Sequence, residues 1–354
     1  MNEMPDDLIL QVSNLRKAFP VRRGLLRREV GTIRAVDDVS FSIHRGTTFG
    51  LVGESGCGKT TTSRMIVRAI DPTAGGIYFR RPSGQVVDLA TLSGRALKAV
   101  RGEIQLVFQD PYSSLNPRMP VSELIAEPLR AHGWKRRDRD RRVEELMQLV
   151  GLDPRFAQRF PHAFSGGQRQ RIGIARALAL QPSLVVADEP VSALDVSVQA
   201  QILNLLKRLR EEVGLTLLFV AHDLSVIRQL CDEVAVMYKG RIVEWAEKEA
   251  LFEHPRHPYT HALLKAVPAP DPHAAWLDEM DEHTSTAAND VAEATGAADA
   301  EHIGCPFAPR CPHATTRCRE QQPPLTLQQA NASQPHYAAC HHADTIMHNT
   351  AVTQ

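Results

Sequence analysis

The sequence has no excess of either charge: 41 Lys and Arg residues are matched by 41 Asp and Glu. That balance gives no general affinity for nucleic acid, so docking to a membrane or a protein must use specific surfaces. Long hydrophobic runs are missing too. The most apolar stretch, residues 215–221, is strand-sized, which excludes a bilayer-spanning helix there and makes any membrane association peripheral. The first ten residues carry Glu3, Asp6 and Asp7 and lack the basic and apolar regions of a signal peptide, so export is not expected. Cysteine is nearly absent from the body of the chain. Only Cys57 and Cys231 precede Cys305, while Cys311, Cys318 and Cys340 follow it closely. In a cytosolic chain such clustering points to a metal site before it points to disulfides. A length of 354 residues allows one large domain with an appendage, or two domains.

What is present is a phosphate loop. Gly53-Glu54-Ser55-Gly56-Cys57-Gly58-Lys59-Thr60-Thr61 contains a complete G-x-x-x-x-G-K-[ST] pattern. Residues 48–52 predict a short buried strand before it and residues 59–69 a helix after it, the context such a loop requires. Its glycines let backbone N–H groups turn inward around a β-phosphate, and the helix adds the positive end of its dipole. Lys59 then reaches the β- and γ-oxygens, Thr60 places its hydroxyl on Mg²⁺ and Thr61 contacts the α-phosphate. A nucleoside triphosphate is the expected ligand. Cys57 reads as a small filler within the loop and Cys231 as a core residue.

The flanking segments supply further candidates. Residues 8–12 and 35–43 alternate as strands around a basic insertion at 21–34, predicting an antiparallel flap. Phe19, at the exit of the first, can stack on an adenine ring or serve as packing. Residues 71–76 read as a turn and 77–88 as a hairpin reversing at Pro82-Ser83-Gly84. The strand 104–109 ends in Gln109, placed either to complete a Mg²⁺ shell or simply to be solvated, and a turn-rich surface loop follows at 110–117. Residues 121–147 read as two helices parted near His132-Gly133-Trp134, the basic run 135–142 forming a solvated face. Ser165 is a natural N-cap for a helix that begins Gly166-Gly167-Gln168. Two glycines in a first turn leave N–H groups approachable, which reads as a second phosphate-binding surface, one without a lysine of its own. Residues 184–188 form a continuous apolar strand ending in Asp188-Glu189, as a buried central parallel strand does. At that edge Asp188 holds Mg²⁺ through water and Glu189 orients the attacking water. The strand 215–221 delivers His222 to the same edge, as a γ-phosphate contact or a structural histidine.

Taken in order, Phe19, the loop at Gly53, Gln109, Ser165-Gly166-Gly167-Gln168, Asp188-Glu189, Ser192-Ala193-Leu194-Asp195 and His222 resemble the motif set of ABC transporter ATP-binding subunits. The resemblance covers residues 8–243. It implies an α/β fold of the ABC nucleotide-binding type: a RecA-like mixed-sheet core, an antiparallel β subdomain and a helical signature subdomain. The implied ATP contacts are Phe19, Gly53, Ser55, Gly56, Cys57, Gly58, Lys59, Thr60 and Thr61. Mg²⁺ falls to Thr60, Gln109 and Asp188, and catalysis to Glu189, His222 and Lys59. Ser192 and Asp195 form the D-loop. The signature, Ser165 to Gln168, acts in this family on ATP held by a partner cassette, which implies a second ATP-binding domain.

Three further strings look like the dipeptide and oligopeptide importer subfamily: Arg22-Arg23-Gly24-Leu25-Leu26-Arg27, the run Gln109 to Arg118, and His254-Pro255-Arg256-His257-Pro258-Tyr259-Thr260 through Val267-Pro268. One departure is Trp245-Ala246, where relatives often carry a glycine, which questions a turn geometry. The division expected is an ABC domain at 1–253, an importer motif at 254–269, an acidic flexible linker at 270–304 and a Cys-rich extension at 305–354. The positions of Cys305, Cys311, Cys318 and Cys340 do not follow zinc-ribbon spacing. Relatives carry a similar tail that in some is implicated in holding a [4Fe-4S] cluster, so the resemblance implies one here, with zinc or free thiols as alternatives. The expected activity is ATP hydrolysis that drives peptide uptake, at the cytoplasmic face of the inner membrane. Implied partners are two permeases, a second and homologous ATPase, and indirectly an extracytoplasmic binding protein, with no nucleic acid. The alternatives are a soluble ABC-type ATPase that remodels a macromolecule, and an importer of nickel, glutathione or sugar. A redox-sensing role for the tail is a third reading. Against the remodelling ATPase, the chain holds one nucleotide domain and no coiled-coil heptads.

Overall fold

The computed structural model describes residues 4–23, 28–110, 112–266, 303–328 and 335–344. Two sheets organise the chain. The first is antiparallel, in the order β2-β1-β4-β5, with β1 at Leu8–Arg23, β2 at Arg28–His44, β4 at Ala74–Arg80 and β5 at Val86–Asp88. The basic stretch read as an insertion is part of this sheet: Val21 pairs with Gly31 and Arg22 with Glu29, so the flap is a long bulged hairpin. Residues 24–27 of that string lie outside the described residues, as do residues 270–302 of the expected acidic linker.

The second sheet has the order β11-β12-β10-β9-β3-β8-β7-β6. Its centre is parallel: β3 (Thr48–Val52) lies between β8 (Thr216–Ala221) and β9 (Glu233–Tyr238), and β7 (Leu184–Asp188) pairs with β8 and with β6 (Ile104–Val107). β3, β7 and β8 are buried along their whole length, as their unbroken apolar runs require of strands covered on both faces. One core lies between this sheet and the antiparallel one, around Phe41, Phe49, Phe79 and Met65. The other lies on the opposite side, where α3 (Val121–Ala131), α4 (Arg136–Leu149) and α5 (Gly166–Ala177) contribute Leu124, Leu146 and Ile172. The basic face of α4 is exposed and laced by Arg136–Asp140 and Arg141–Asp138 pairs.

The tail is continuous with this sheet. β10 (Arg241–Glu247) pairs with β12 (Tyr337–Ala338), which pairs with β11 (Thr326–Leu327). Trp245, questioned above as a turn position, lies inside β10. Its ring stacks on Tyr337 at 5.0 Å and its Nε1–H donates to Glu233, so it is a platform for the tail. Beside it the fully buried Glu244 carboxylate accepts the N–H groups of Arg256 and His257 and lies 2.7 Å from His336 Nε2. One carboxylate thus fastens both the His254–Thr260 segment and the tail to β10. A buried charge tolerates such a place only when donors surround it.

Candidate functional site

The phosphate loop leaves β3 and enters α1 (Lys59–Ile66), which is three residues shorter at its end than the helix expected; Val67 is its C-cap and Arg68 follows in a left-handed conformation. The helix N-cap is Gly58, with φ of 106° and no side-chain cap, so its first N–H groups stay open to an anion. A side chain there would also meet Ala35 O at 2.3 Å. Lys59 is buried, its Nζ donating to the carbonyls of Gly53 (2.7 Å) and Glu54 (2.9 Å). These two bonds draw the start of the loop around the lysine.

The loop opens on a cavity of about 360 Å³ lined by Ser55, Gly56, Gly58, Lys59, Thr60, Thr61, Gln109, Glu189, His222 and Ala35. Glu189 follows β7 with φ of 46°, a left-handed conformation that a glutamate adopts at a cost. Two elements fix its carboxylate. Gln109 Nε2 donates to Oε2 at 2.9 Å, and His222 Nδ1 lies 3.2 Å from the same oxygen. Its backbone is held as well, by Glu189 N–H to Val220 O and by Ser192 Oγ–H to Glu189 O. Asp188 sits one residue behind, buried, accepting the Thr60 hydroxyl at 3.2 Å. Burial pushes its carboxyl above the ordinary range, and the Thr60 hydrogen bond opposes that. Thr60, Asp188 and Gln109 form a set of oxygen donors suited to Mg²⁺.

Other sequence candidates stand outside this lining, Gly53, Ser192 and Asp195 among them. Phe19 is 38 % exposed on β1, with Lys17 Nζ 5.1 Å from its ring, and does not line the cavity; Ala35 does. Cys57 is buried beneath the loop, its Sγ 3.8 Å from Lys59 Nζ, and burial raises its thiol. The signature does not line this cavity either. Ser165 caps α5 with a full capping box, accepting Gln168 N–H while Gln168 Oε1 accepts Ser165 N–H. Gly167 is buried, and a Cβ there would meet Val198 Cγ1 at 2.3 Å. Its glycine is therefore required by close packing against α6 (Val196–Val213), which Asp195 caps through Val198 N–H at 3.0 Å. Gly166 is half-buried, and a Cβ there would lie 3.4 Å from Leu194 Cδ2.

Two contacts to the loop were not foreseen. Tyr259 from the His254–Thr260 string accepts Glu54 N–H at 2.9 Å, and Arg310 from the tail pairs with the Glu54 carboxylate. The string was visible in the sequence, but nothing in it pointed back across two hundred residues.

The four tail cysteines line one apolar cavity of about 10 Å³ with Phe307, Pro258 and Pro323. None is in a disulfide. Burial, and then their mutual proximity, raises the thiols of Cys305 and Cys311 and pushes Cys340 up to about 12. Among the described residues no three Cys, His, Asp or Glu side chains are gathered as a single-ion site. No helix among them is long and apolar enough to cross a membrane.

Comparison with known proteins agrees with this geometry. The ABC transporter family matches residues 36–192, and the oligopeptide/dipeptide transporter C-terminal region matches residues 243–318. The chain is 47 % identical to the oligopeptide transport ATP-binding protein AppF of Bacillus subtilis, over 96 % of this chain and 99 % of that one. It is 51 % identical to a glutathione import ATP-binding protein of Pectobacterium atrosepticum, over 75 % of this chain and 42 % of that one. A dimeric ATP-binding cassette solved in a post-hydrolysis state with ADP and Pi is similar in structure. It has a TM-score of 0.59 and 30 % identity, across 68 % of this chain and 99 % of that one.

Proposed function

The chain belongs to the ATP-binding subunits of ABC transporters, in their oligopeptide and dipeptide branch, and we propose that it hydrolyses ATP to drive peptide uptake through two permeases. The observation that carries this is the single cavity gathering Lys59, Thr60, Gln109, Glu189 and His222 on a chain that also bears the oligopeptide C-terminal region. The similarity to a glutathione import protein keeps glutathione as the alternative cargo beside peptides.

In this site the loop N–H groups and Lys59 hold the triphosphate, and Lys59 exchanges its two carbonyl partners for phosphate oxygens. Mg²⁺, held by Thr60, Gln109 and Asp188, would neutralise charge on the β- and γ-phosphates. Glu189 takes the proton of the attacking water, while His222 and Gln109 keep its carboxylate aimed. The signature Ser165-Gly166-Gly167-Gln168 lies away from this cavity, in keeping with the family arrangement in which it serves the ATP of a second cassette and that cassette serves this one. A homologous ATPase is the partner proposed, at the cytoplasmic face of the membrane, with an extracytoplasmic binding protein acting through the permeases. The acidic linker and the four-part division remain part of this proposal.

Cys305, Cys311, Cys318 and Cys340 are proposed to hold an iron–sulfur cluster. What supports the reading is donor chemistry: four thiols line one small cavity. The raised thiols lose their protons on ligation.

Isolation of the full chain from its own membranes in gentle detergent tests both parts. Two multi-span permeases and a second ABC ATPase accompany it on this account, and the anaerobic preparation carries iron and sulfide. Recovery with ribosomal or DNA-repair factors, and no membrane protein, contradicts the first part; an iron-free preparation contradicts the second.

A further inference from the structure

Glu54 follows the first glycine of the phosphate loop, and every polar group it has is engaged. Its carbonyl accepts from Lys59 Nζ at 2.9 Å and from Cys57 N–H at 3.3 Å. Its own N–H donates to the Tyr259 hydroxyl. Its carboxylate is met end-on by Arg310, whose two terminal nitrogens donate to the two oxygens at 3.0 Å each. Such a fork-to-fork pair fixes orientation as well as charge.

Arg310 is itself well placed. It ends a short 3₁₀ turn, Ala308–Arg310, between Cys305 and Cys311, and that turn is tied down by Ala308 N–H to Cys305 O and Cys305 N–H to Cys318 O. Its guanidinium lies over the rings of Phe307 (5.6 Å) and Tyr238 (6.0 Å). Those rings pack with Tyr259 into one aromatic group, with centroids 4.6 to 5.5 Å apart. Tail and importer string thus converge on one residue of the loop.

Global stability does not explain the pair. Arg310 and Glu54 are 44 % and 43 % exposed, and ion pairs so open to water contribute little to folding. Charge at the loop does explain it. A carboxylate near a triphosphate site opposes the incoming anion; burial is the main cause that raises the Cys57 thiol and the Tyr259 hydroxyl, and the Glu54 charge adds a smaller push to each. Arg310 offsets that charge and fixes the carboxylate through both of its oxygens.

We propose that Arg310 is a positioning residue for ATP: by neutralising and orienting Glu54 it sets the potential and the shape of the phosphate loop, so the cysteine tail acts on nucleotide affinity. The proposal rests on ATP binding at this loop. Equilibrium binding of a fluorescent ATP analogue with Mg²⁺ to the full chain tests it. Arg310→Ala weakens binding about tenfold, the effect of one uncompensated exposed charge acting on phosphates across roughly 12 Å at an effective dielectric of about 20. The loss shrinks as salt is raised. Arg310→Lys, which keeps the charge without the fork, loses less. Adding Glu54→Gln to Arg310→Ala recovers most of the affinity, a rescue that mere packing by Arg310 would not produce. The thermal unfolding midpoint stays close to that of the unaltered chain. Binding by Arg310→Ala within twofold of the unaltered chain overturns the proposal, and so does a loss that Glu54→Gln leaves in place. An unaltered chain that binds no nucleotide overturns the ATP reading itself, and the proposal with it.

Discussion

Glu189→Gln stops ATP turnover, by about a hundredfold or more, while nucleotide binding is retained. The magnitude is that of a lost general base, roughly 10² to 10⁴ in rate. The side chains match in shape, so the amide can still accept from Gln109 and face His222, and the left-handed backbone at 189 is unaltered. What disappears is the oxygen that takes a proton from water. Single-turnover hydrolysis measured beside equilibrium binding separates the two effects. Hydrolysis unchanged in this variant would remove Glu189 from the role given to it.

Lys59→Ala has the second large effect, and it falls on binding. On the proposed function the ammonium is the positive charge the loop sets against the β- and γ-phosphates, and its charge-assisted hydrogen bonds contribute about 3 kcal/mol together, a hundredfold or more in affinity. The variant also leaves the carbonyls of Gly53 and Glu54 without the donor that gathers them. Nucleotide titration followed by calorimetry checks this outcome. Affinity within a few-fold of the unaltered chain would show that the backbone N–H groups alone carry the phosphate.

Much of this site was legible because it is built from local rules. A strand, a glycine-rich turn and a helix start lie within residues 48–66, so the loop could be placed from spacing alone. The acids at 188 and 189 and the histidine at 222 follow apolar runs that only buried parallel strands explain, and such strands deliver their ends to one edge. What could not be read depends on distant contacts. The glycine at 167 was read for its approachable N–H, and the structure adds a reason the sequence did not show, Val198 packed where a side chain would stand. Trp245 looked like a departure at a turn and is the stacking partner of Tyr337. The tail looked like an appendage, but β11 and β12 complete the central sheet, and Arg310 crosses 256 positions to reach the loop. Periodicity reports which face of an element is buried; it does not report against what.

The most direct test of the central claim is peptide uptake. A strain lacking this subunit, supplied either with the chain or with its Glu189→Gln form, is given labelled di- and oligopeptides, and accumulation is followed. The account predicts that the unaltered chain restores energy-dependent accumulation and that the Glu189→Gln form, though it binds ATP, does not. Equal accumulation with both forms, or none with either, would contradict a chain whose ATP hydrolysis drives peptide import.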